Sequence, residues 1–151
     1  MSPSTKKMMS CELCRTTSET LLWCGELCRV VLIEDADYPG FCRVIWNRHV
    51  KEMTDLNDEE QHALMKMVFA VESALREVMQ PDKINLASLG NMTPHLHWHI
   101  IPRYILDKHF PNPIWGTPQR AGIPKLSLDW QARLSQSIRQ RLQGASKNSS
   151  F

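Results

Sequence analysis

Three histidines occupy alternate positions in the segment TPHLHWHIIPR, which runs from Thr93 to Arg103. They are His95, His97 and His99, half of the six histidines in the chain. Imidazole changes charge near neutral pH, and proteins use it as a metal ligand, a general acid–base group and a nucleophile. Three imidazoles in one short apolar run therefore predict a site for chemistry.

The alternation indicates a β-strand, because successive side chains of a strand point to opposite faces of its sheet. We expect the three histidines to share one face, with Leu96, Trp98 and Ile100 directed into the core. A solvated outer face is the ordinary alternative. Threonine, lysine, glutamate or serine would serve that purpose equally well, so the histidines favour a functional site.

Two kinds of chemistry fit the row. Imidazoles bind zinc and other transition metals, and one imidazole can instead attack phosphorus while its neighbours fix its tautomer and hold substrate oxygens. The spacing does not separate these alternatives. A catalytic zinc site needs an acid or a further ligand nearby, and the segment contains no carboxylate. Its composition therefore favours the nucleophile.

The CELC segment supplies a second set of candidate ligands. Cys11 and Cys14 have the spacing that lets two thiolates bind one zinc ion, although a closed site needs two more ligands. Cys24 and Cys28 would complete a four-cysteine site, and free thiols are the remaining alternative. Cys42 lies in an apolar run and is expected to pack as a small core residue.

Composition limits the class of protein. The 151 residues suffice for one domain, and a net charge of +2 gives no indication of nucleic acid or an anionic membrane as a partner. No apolar stretch approaches the roughly 20 residues that span a bilayer, and the N-terminus lacks the apolar run of a secretory signal. Five cysteines, an odd number, do not suggest a disulfide framework. We expect a cytoplasmic protein.

Closely spaced β-forming runs begin the folded part of the chain. They are LLWC from residue 21, CRVVLI from residue 28 and FCRVIW from residue 41, separated by turn-like GE and EDADYPG. Connections this short favour an antiparallel meander over parallel crossovers. KINLASLG, from residue 83, predicts a further strand that ends in a Gly-Asn turn before the histidine strand.

Two helices are predicted. The first follows Asn57, a candidate N-cap with Glu60 three residues later, and it stops at Pro81. Its core face is expected to carry Leu64, Val68, Val71, Leu75 and Val78. After an extended, proline-rich loop over residues 107–126, a second helix places an apolar residue at every fourth position: Trp130, Leu134, Ile138 and Leu142. This stripe would pack on the domain surface or on a partner chain.

Several motifs, in order, resemble one known family. The run His-x-His-x-His followed by two apolar residues is similar to the motif of the histidine-triad (HIT) superfamily of nucleotidyl hydrolases and transferases. Two longer segments resemble the family's earlier strand and its triad region: YPGFCRVIWNRHVKEMTDL and INLASLGNMTPHLHWHIIPR, respectively. PRY…DKHFPNPIWG resembles the bacterial branch described as diadenosine-tetraphosphate-hydrolase-like. The resemblance covers roughly residues 11–116.

The resemblance implies an α+β domain over residues 11–116, with an antiparallel sheet and commonly a homodimer. Residues 1–10 would form a flexible leader, and residues 117–151 a loop, a helix and a polar tail. It also implies that His97 attacks the α-phosphorus of a nucleotide and that water resolves the nucleotidyl-histidine. His99 would hold phosphate oxygens or help to protonate the leaving group, and His95 would orient the triad or bind metal.

Further site residues are implied at matching positions. Asn85 would contact the nucleotide-phosphate region, and the Gly90–Asn91 turn would direct amides toward phosphate, unless it is an ordinary turn. Thr93 could replace a donor near the leaving group. Arg103 could offset phosphate charge, with a solvated arginine at a strand end as the alternative.

The family resemblance also suggests ligands for the cysteines, and at one position this sequence departs from the family pattern. Some members close a zinc tetrahedron with histidines that correspond to His49 and His95, giving the set Cys11, Cys14, His49 and His95 for a structural zinc that the chemistry itself does not need. Phe41 stands where many relatives carry a histidine. That departure leaves the substrate less defined than the reaction type.

The resulting functional hypothesis is a nucleotidyl hydrolase that acts on a dinucleoside polyphosphate such as diadenosine tetraphosphate. Three alternatives stay open: a nucleoside phosphoramidase, a nucleotide-binding regulatory protein with little turnover, and a metal-dependent hydrolase that uses the histidine row as its ligands.

Overall fold

The computed structural model describes residues 10–122, 124 and 126–143. The predicted leader, apart from residue 10, and the tail over residues 144–151 lie outside the described residues. The strands are β1 (Thr20–Cys24), β2 (Cys28–Leu32), β3 (Cys42–Trp46), β4 (Lys83–Ala87) and β5 (His97–Arg103), and the α-helices are α1 (Asp58–Met79) and α2 (Trp130–Gln143). Short 3₁₀ helices cover Glu12–Cys14 and Met53–Asp55. No helix within these described ranges is both long and apolar enough to cross a membrane.

The five strands form one antiparallel sheet in the order β1-β2-β3-β5-β4. β1, β2 and β3 form the predicted meander, and β5 lies between β3 and β4. The predicted α+β class with an antiparallel sheet is confirmed. The register pairs Ile45 of β3 with His97 and Arg43 with His99, so two residues of the meander lie beside the histidines.

The two faces of the sheet have different surroundings. Val30, Val44 and Ile100 lie on the face that packs with the helices in the main core. On the other face, Val31 and Ile45 pack against the cysteine segment at the start of the described chain. The histidines of β5 lie on this second face, away from the helical layer.

Helix α1 forms as the sequence predicts. The Asn57 side chain accepts a hydrogen bond from the Glu60 backbone, and the Glu60 side chain accepts one from the Asn57 backbone, which satisfies two N–H groups at the helix start. Four residues of the predicted core face are buried and the fifth packs partly buried against the core: Leu64, Val68, Val71, Leu75 and Val78. The helix ends before Gln80, which adopts a left-handed conformation next to Pro81.

Helix α2 packs on its own domain. Leu134, Ile138 and Leu142 are buried in the same core as α1, and Trp130 packs against that core. The Arg139 side chain donates a hydrogen bond to the carbonyl of Leu22 on β1. Of the two alternatives for this stripe, the domain surface is therefore correct. The homodimer stays a prediction that does not depend on this apolar stripe.

Candidate active site and the adjoining metal-ligand cluster

The three histidines are buried rather than solvated. His95, His97 and His99 are 1%, 5% and 5% exposed, so the solvated-face alternative is wrong. Their neighbours Leu96, Trp98 and Ile100 pack in the main core, as the alternation predicts. The strand begins at His97, however, and His95 lies just before it. The ring of His95 is directed to the cysteines.

A backbone carbonyl fixes the tautomer of His97. Its Nδ1 lies 2.6 Å from the carbonyl oxygen of His95. A carbonyl can only accept, so Nδ1 carries the proton and donates it, which leaves a lone pair on Nε2. Burial lowers the pKa of His97, partly opposed by this hydrogen bond. The Ser88 hydroxyl donates to the backbone carbonyl of His97 at 2.9 Å, which fixes the strand at this residue.

Aromatic rings and one cation surround His99. The ring centroid of His99 lies 5.6 Å from that of Phe41, 4.7 Å from that of His97 and 5.1 Å from that of Trp115. Burial, followed by the charges of His97 and Arg43, lowers the pKa of His99 to about 3. The Arg43 Nε–H donates to His99 Nδ1 at 3.4 Å. The ring is therefore neutral at neutral pH, with its proton on Nε2.

Cys11, Cys14, His49 and His95 form a compact group of potential ligands. Their ligand atoms all lie within 4.8 Å of one another. The Nδ1 atoms of His49 and His95 are 3.2 Å apart, and Cys14 Sγ lies 3.3 and 3.5 Å from them. Cys11 Sγ lies 3.5 Å from His95 Nδ1. Zinc–ligand bonds of about 2.0 to 2.3 Å place the ligand atoms of a tetrahedron about 3.3 to 3.8 Å apart, so the donor set fits zinc in kind and these four distances are close to that spacing.

The tautomer of His95 suits a metal ligand. Its Nε2 lies 2.6 Å from the carbonyl oxygen of Trp46, so Nε2 carries the proton and the Nδ1 lone pair is directed to the cluster. Burial, followed by Cys11, raises the pKa of the Cys14 thiol to about 11, so a thiolate at this position requires a neighbouring cation.

The four-cysteine alternative is wrong. Within the residues that the structure describes, the only group of three or more potential ligands is the mixed cysteine–histidine set, which includes neither Cys24 nor Cys28. Cys24 is exposed at the end of β1, and Cys28 is buried in the main core. Cys42 is fully buried there as well, which is the predicted core position.

The predicted turn residues differ in how close they lie to the histidines. Gly90, with φ of +76°, lines a cavity of about 380 Å³ together with His97 and Ser88. Asn91 is exposed. Thr93 is half-buried, and its carbonyl accepts the His95 backbone N–H at 2.8 Å. Of these turn residues, Gly90 is the one that shares a cavity wall with His97.

Arg103 is the centre of a buried hydrogen-bond network. Its guanidinium donates to both carboxylate oxygens of Asp107, at 2.7 and 3.0 Å, to Asn85 Oδ1 at 2.7 Å and to the carbonyl of Asn112 at 2.7 Å. Arg103 is 2% exposed, so the solvated alternative is wrong. Burial would raise the pKa of Asp107, but Arg103 and backbone N–H groups outweigh it and lower that pKa to about 2. Asn85 and Arg103 thus hold each other and the loop that follows β5.

Replacing Arg103 with methionine is expected to cost about 3 to 5 kcal/mol of unfolding free energy, because it leaves the Asp107 carboxylate buried without its partner. Denaturant unfolding measures the loss. Arg48→Met is the matched control, since Arg48 pairs with Glu60 at the surface and its side chain is 59% exposed, so about 0 to 1 kcal/mol is expected there. Equal losses in the two variants would contradict a buried, structure-stabilising pair.

Four residues of the site are not among those that the sequence predicts: Arg43, Ser88, Asp107 and Trp115. Arg43 follows the alternation of FCRVIW, which assigns it to one sheet face but not to a place beside His99. That place depends on the pairing of β3 with β5, which no local pattern gives. Trp115 and Asp107 lie in the proline-rich loop, where the sequence has no periodicity to interpret.

Comparisons with known proteins agree with this architecture. The family model described as HIT domain matches residues 16–106. A curated relative, AP-4-A phosphorylase of Mycobacterium tuberculosis, is 30% identical over 117 residues, which cover 74% of this chain and 58% of the relative. The chain thus spans less than two thirds of that relative's length.

Solved structures share the fold over most of the chain. A histidine triad protein from Bradyrhizobium japonicum is 30% identical, covers 93% of this chain and 96% of its own, and gives a TM-score of 0.67. A Zn-bound histidine triad family protein from Mycobacterium smegmatis is 20% identical, covers 91% of this chain and 99% of its own, and gives a TM-score of 0.63. At that identity the second similarity is one of fold.

Proposed function

The chain belongs to the HIT domain family, and we propose that it cleaves a dinucleoside polyphosphate such as diadenosine tetraphosphate at the α-phosphate, through a covalent nucleotidyl-His97 intermediate. The observation that carries this proposal is the hydrogen bond from His97 Nδ1 to the His95 carbonyl oxygen. It keeps the Nε2 lone pair free for attack and holds the ring in one orientation. Similarity to AP-4-A phosphorylase supports this class of substrate.

The reaction would proceed in two balanced steps. His97 Nε2 attacks the α-phosphorus, a P–N bond forms, and the P–O bond to the leaving nucleotide breaks, so that the electron pair leaves with its oxygen. Water then attacks the same phosphorus, the P–N bond breaks, and a nucleoside monophosphate departs while the proton of water passes to solvent. Each step exchanges one bond at phosphorus, and neutral imidazole is both a good nucleophile and a good leaving group.

His99 would serve as a donor to phosphate. Its Nδ1 accepts from Arg43, so the Nε2–H of the neutral ring is available for a substrate oxygen. Phe41 packs against this ring, at the position where many relatives carry a histidine. Gly90 and Ser88, which share the cavity with His97, are placed to border the bound phosphates. Asn85 and Arg103 would act indirectly, by holding the loop that carries Trp115.

We further propose that Cys11, Cys14, His49 and His95 hold a structural zinc. Thiolate and imidazole are the ligands that zinc prefers, and four protein ligands make a closed site without an open position for substrate. When bound, the metal would fix the cysteine segment to His49 and to His95, which lies just before β5. The chemical steps at phosphorus need no metal in this scheme. Cysteine ligands of this kind are consistent with the reducing cytoplasm.

A second candidate differs only in the acceptor of the nucleotidyl group. The relative's name denotes phosphorolysis, in which inorganic phosphate attacks the nucleotidyl-histidine instead of water and a nucleoside diphosphate departs. Both reactions share the first step at His97. The acceptor therefore decides between a hydrolase and a phosphorylase without changing the proposed nucleophile.

Product analysis with diadenosine tetraphosphate tests the proposed function. We expect ATP with AMP when water is the acceptor, whereas ATP with ADP in added phosphate would identify a phosphorylase. Two molecules of ADP formed without phosphate would contradict attack at the α-phosphorus. Adenosine phosphoramidate is assayed as the second substrate, and each substrate is tested with and without a chelator. Turnover of the phosphoramidate alone would favour a phosphoramidase, and binding without any turnover would favour a regulatory protein.

A further inference from the structure

Arg43 is a cation beside the triad, and its hydrogen bond to His99 uses only one of its five N–H donors. It is the second residue of β3 and lies directly across from His99 in the β3–β5 pairing. Cross-strand partners project from the same face, so Arg43 shares the face of the histidines. Its Nε–H reaches His99 Nδ1 at 3.4 Å, and its charge contributes to lowering the pKa of both His97 and His99.

Arg43 differs from the neighbouring arginines on this face in its ion pairing. Arg29 is paired with Glu19, and Arg103 with Asp107. None of the ion pairs found among residues 10–122, 124 and 126–143 includes Arg43. Arg43 is nevertheless half-buried, and burial lowers its pKa. The charges of Glu12 and Glu19 partly oppose this lowering, but neither carboxylate contacts the Arg43 guanidinium in those ion pairs. A half-buried guanidinium without a direct ion pair is stabilised by binding an anion.

The geometry around the guanidinium indicates where such an anion would lie. Its central carbon is 6.0 Å from the centroid of the Phe41 ring, so an aromatic face limits one side. Arg43 also borders a cavity of about 270 Å³ whose wall includes Glu12, Glu19 and Glu34. Three carboxylates disfavour a phosphate inside that cavity. The anion is therefore expected on the opposite side, beside His99 and within reach of His97.

We infer that Arg43 is a phosphate-binding catalytic residue, which holds the non-bridging oxygens of the α-phosphoryl group while His97 attacks it. This inference rests on the proposed function for the identity of the reaction. A guanidinium presents five N–H donors in a planar fork that matches phosphate oxygens. With Nε donating to His99, the Nη donors can bind the phosphoryl oxygens as their negative charge is redistributed in the transition state.

Nucleotide binding and turnover by Arg43→Met and Arg43→Lys test the inference, with Arg48→Met as a control that also removes one arginine. Calorimetric titration compares AMP with adenosine as probes. We expect Arg43→Met to weaken AMP binding about ten- to hundredfold, with adenosine affinity unchanged, and to lower kcat/KM about 10²- to 10³-fold. Arg43→Lys keeps the charge without the fork, so intermediate values are expected. Arg48→Met should match the wild type in all three measurements.

The outcomes separate this inference from the proposed function. Equal AMP affinity in Arg43→Met and wild type, or wild-type protein that binds AMP no better than adenosine, would overturn the role of Arg43. Turnover that persists unchanged in Arg43→Met would overturn it too, while leaving the proposed function intact. Conversely, Arg43-dependent AMP binding without cleavage of any conjugate would support the phosphate contact and reject the reaction. If Arg43→Met does not fold, Arg43→Lys provides the same comparison.

Discussion

His97→Ala is expected to lower kcat/KM for diadenosine tetraphosphate by about 10³-fold or more, since loss of a covalent nucleophile removes the first step itself. Initial rates at subsaturating substrate concentrations measure kcat/KM. The fold should persist, because His97 lies on the sheet face away from the main core. His62→Ala is a matched control, since His62 is exposed on α1.

His97→Gly adds a test of mechanism. Removing the whole side chain leaves space beside His99 for a free imidazole, which can attack phosphorus in place of the missing ring. We expect added imidazole to restore part of the turnover in His97→Gly and to leave His62→Ala unaffected. Wild-type-like turnover in His97→Ala without imidazole would exclude this residue as the nucleophile.

Cys14→Ser is expected to reduce bound zinc from about one ion per chain to nearly none and to lower Tm by about 10 °C or more, because metal binding at a closed site contributes to folding. Elemental analysis of the purified protein and scanning calorimetry measure the two effects. A serine hydroxyl is a poor zinc ligand beside the remaining Cys11, His49 and His95.

Cys24→Ser provides the control for this prediction, since Cys24 is an exposed thiol outside the ligand group. It should retain the zinc content and Tm of the wild type. A chelator should lower the Tm of the wild type and of Cys24→Ser, and have little effect on Cys14→Ser. Unchanged zinc content in Cys14→Ser would rule out the proposed ligand set.

His95 connects the metal-ligand cluster with the proposed nucleophile. Its ring is directed to Cys11 and Cys14, while its carbonyl oxygen accepts the hydrogen bond from His97 Nδ1–H. The family resemblance offers orientation and metal binding as alternatives for this residue. The geometry gives it both contacts, through different atoms. A metal at the cluster would therefore also restrain the carbonyl that sets the tautomer of His97.

Local sequence patterns predict much of the fold. The capping box of Asn57 and Glu60 and the helical spacing through Leu75 are short-range features, and both are present in α1. The short connections of the first three strands likewise predict the meander. Outside α1, the spacing of Leu134 and Ile138 predicts a helix, but an apolar stripe does not identify the surface that covers it. Packing of α2 on α1 and β1 is a tertiary result.

The site is predicted less completely, because its decisive contacts join distant parts of the chain. Alternation assigns His97 and His99 to one face, but the rings that surround His99 come from Phe41 and from the loop that carries Trp115. The environment of Arg103 shows the same limit. An arginine at a strand end is ordinarily solvated, and here the turn to Asp107 buries it in an ion pair that neither residue type reveals alone.

The most direct test of the central claim is to identify the covalent intermediate. Wild-type protein is mixed with diadenosine tetraphosphate, quenched in alkali during the first turnover, digested and analysed by mass spectrometry. Alkaline conditions are needed because a P–N bond to histidine is labile in acid. We predict one AMP moiety on the peptide that contains residues 95–99, with fragment ions that assign it to His97. An adduct on His95 or His99, or turnover with no nucleotidyl-protein at any quench time, would contradict the account.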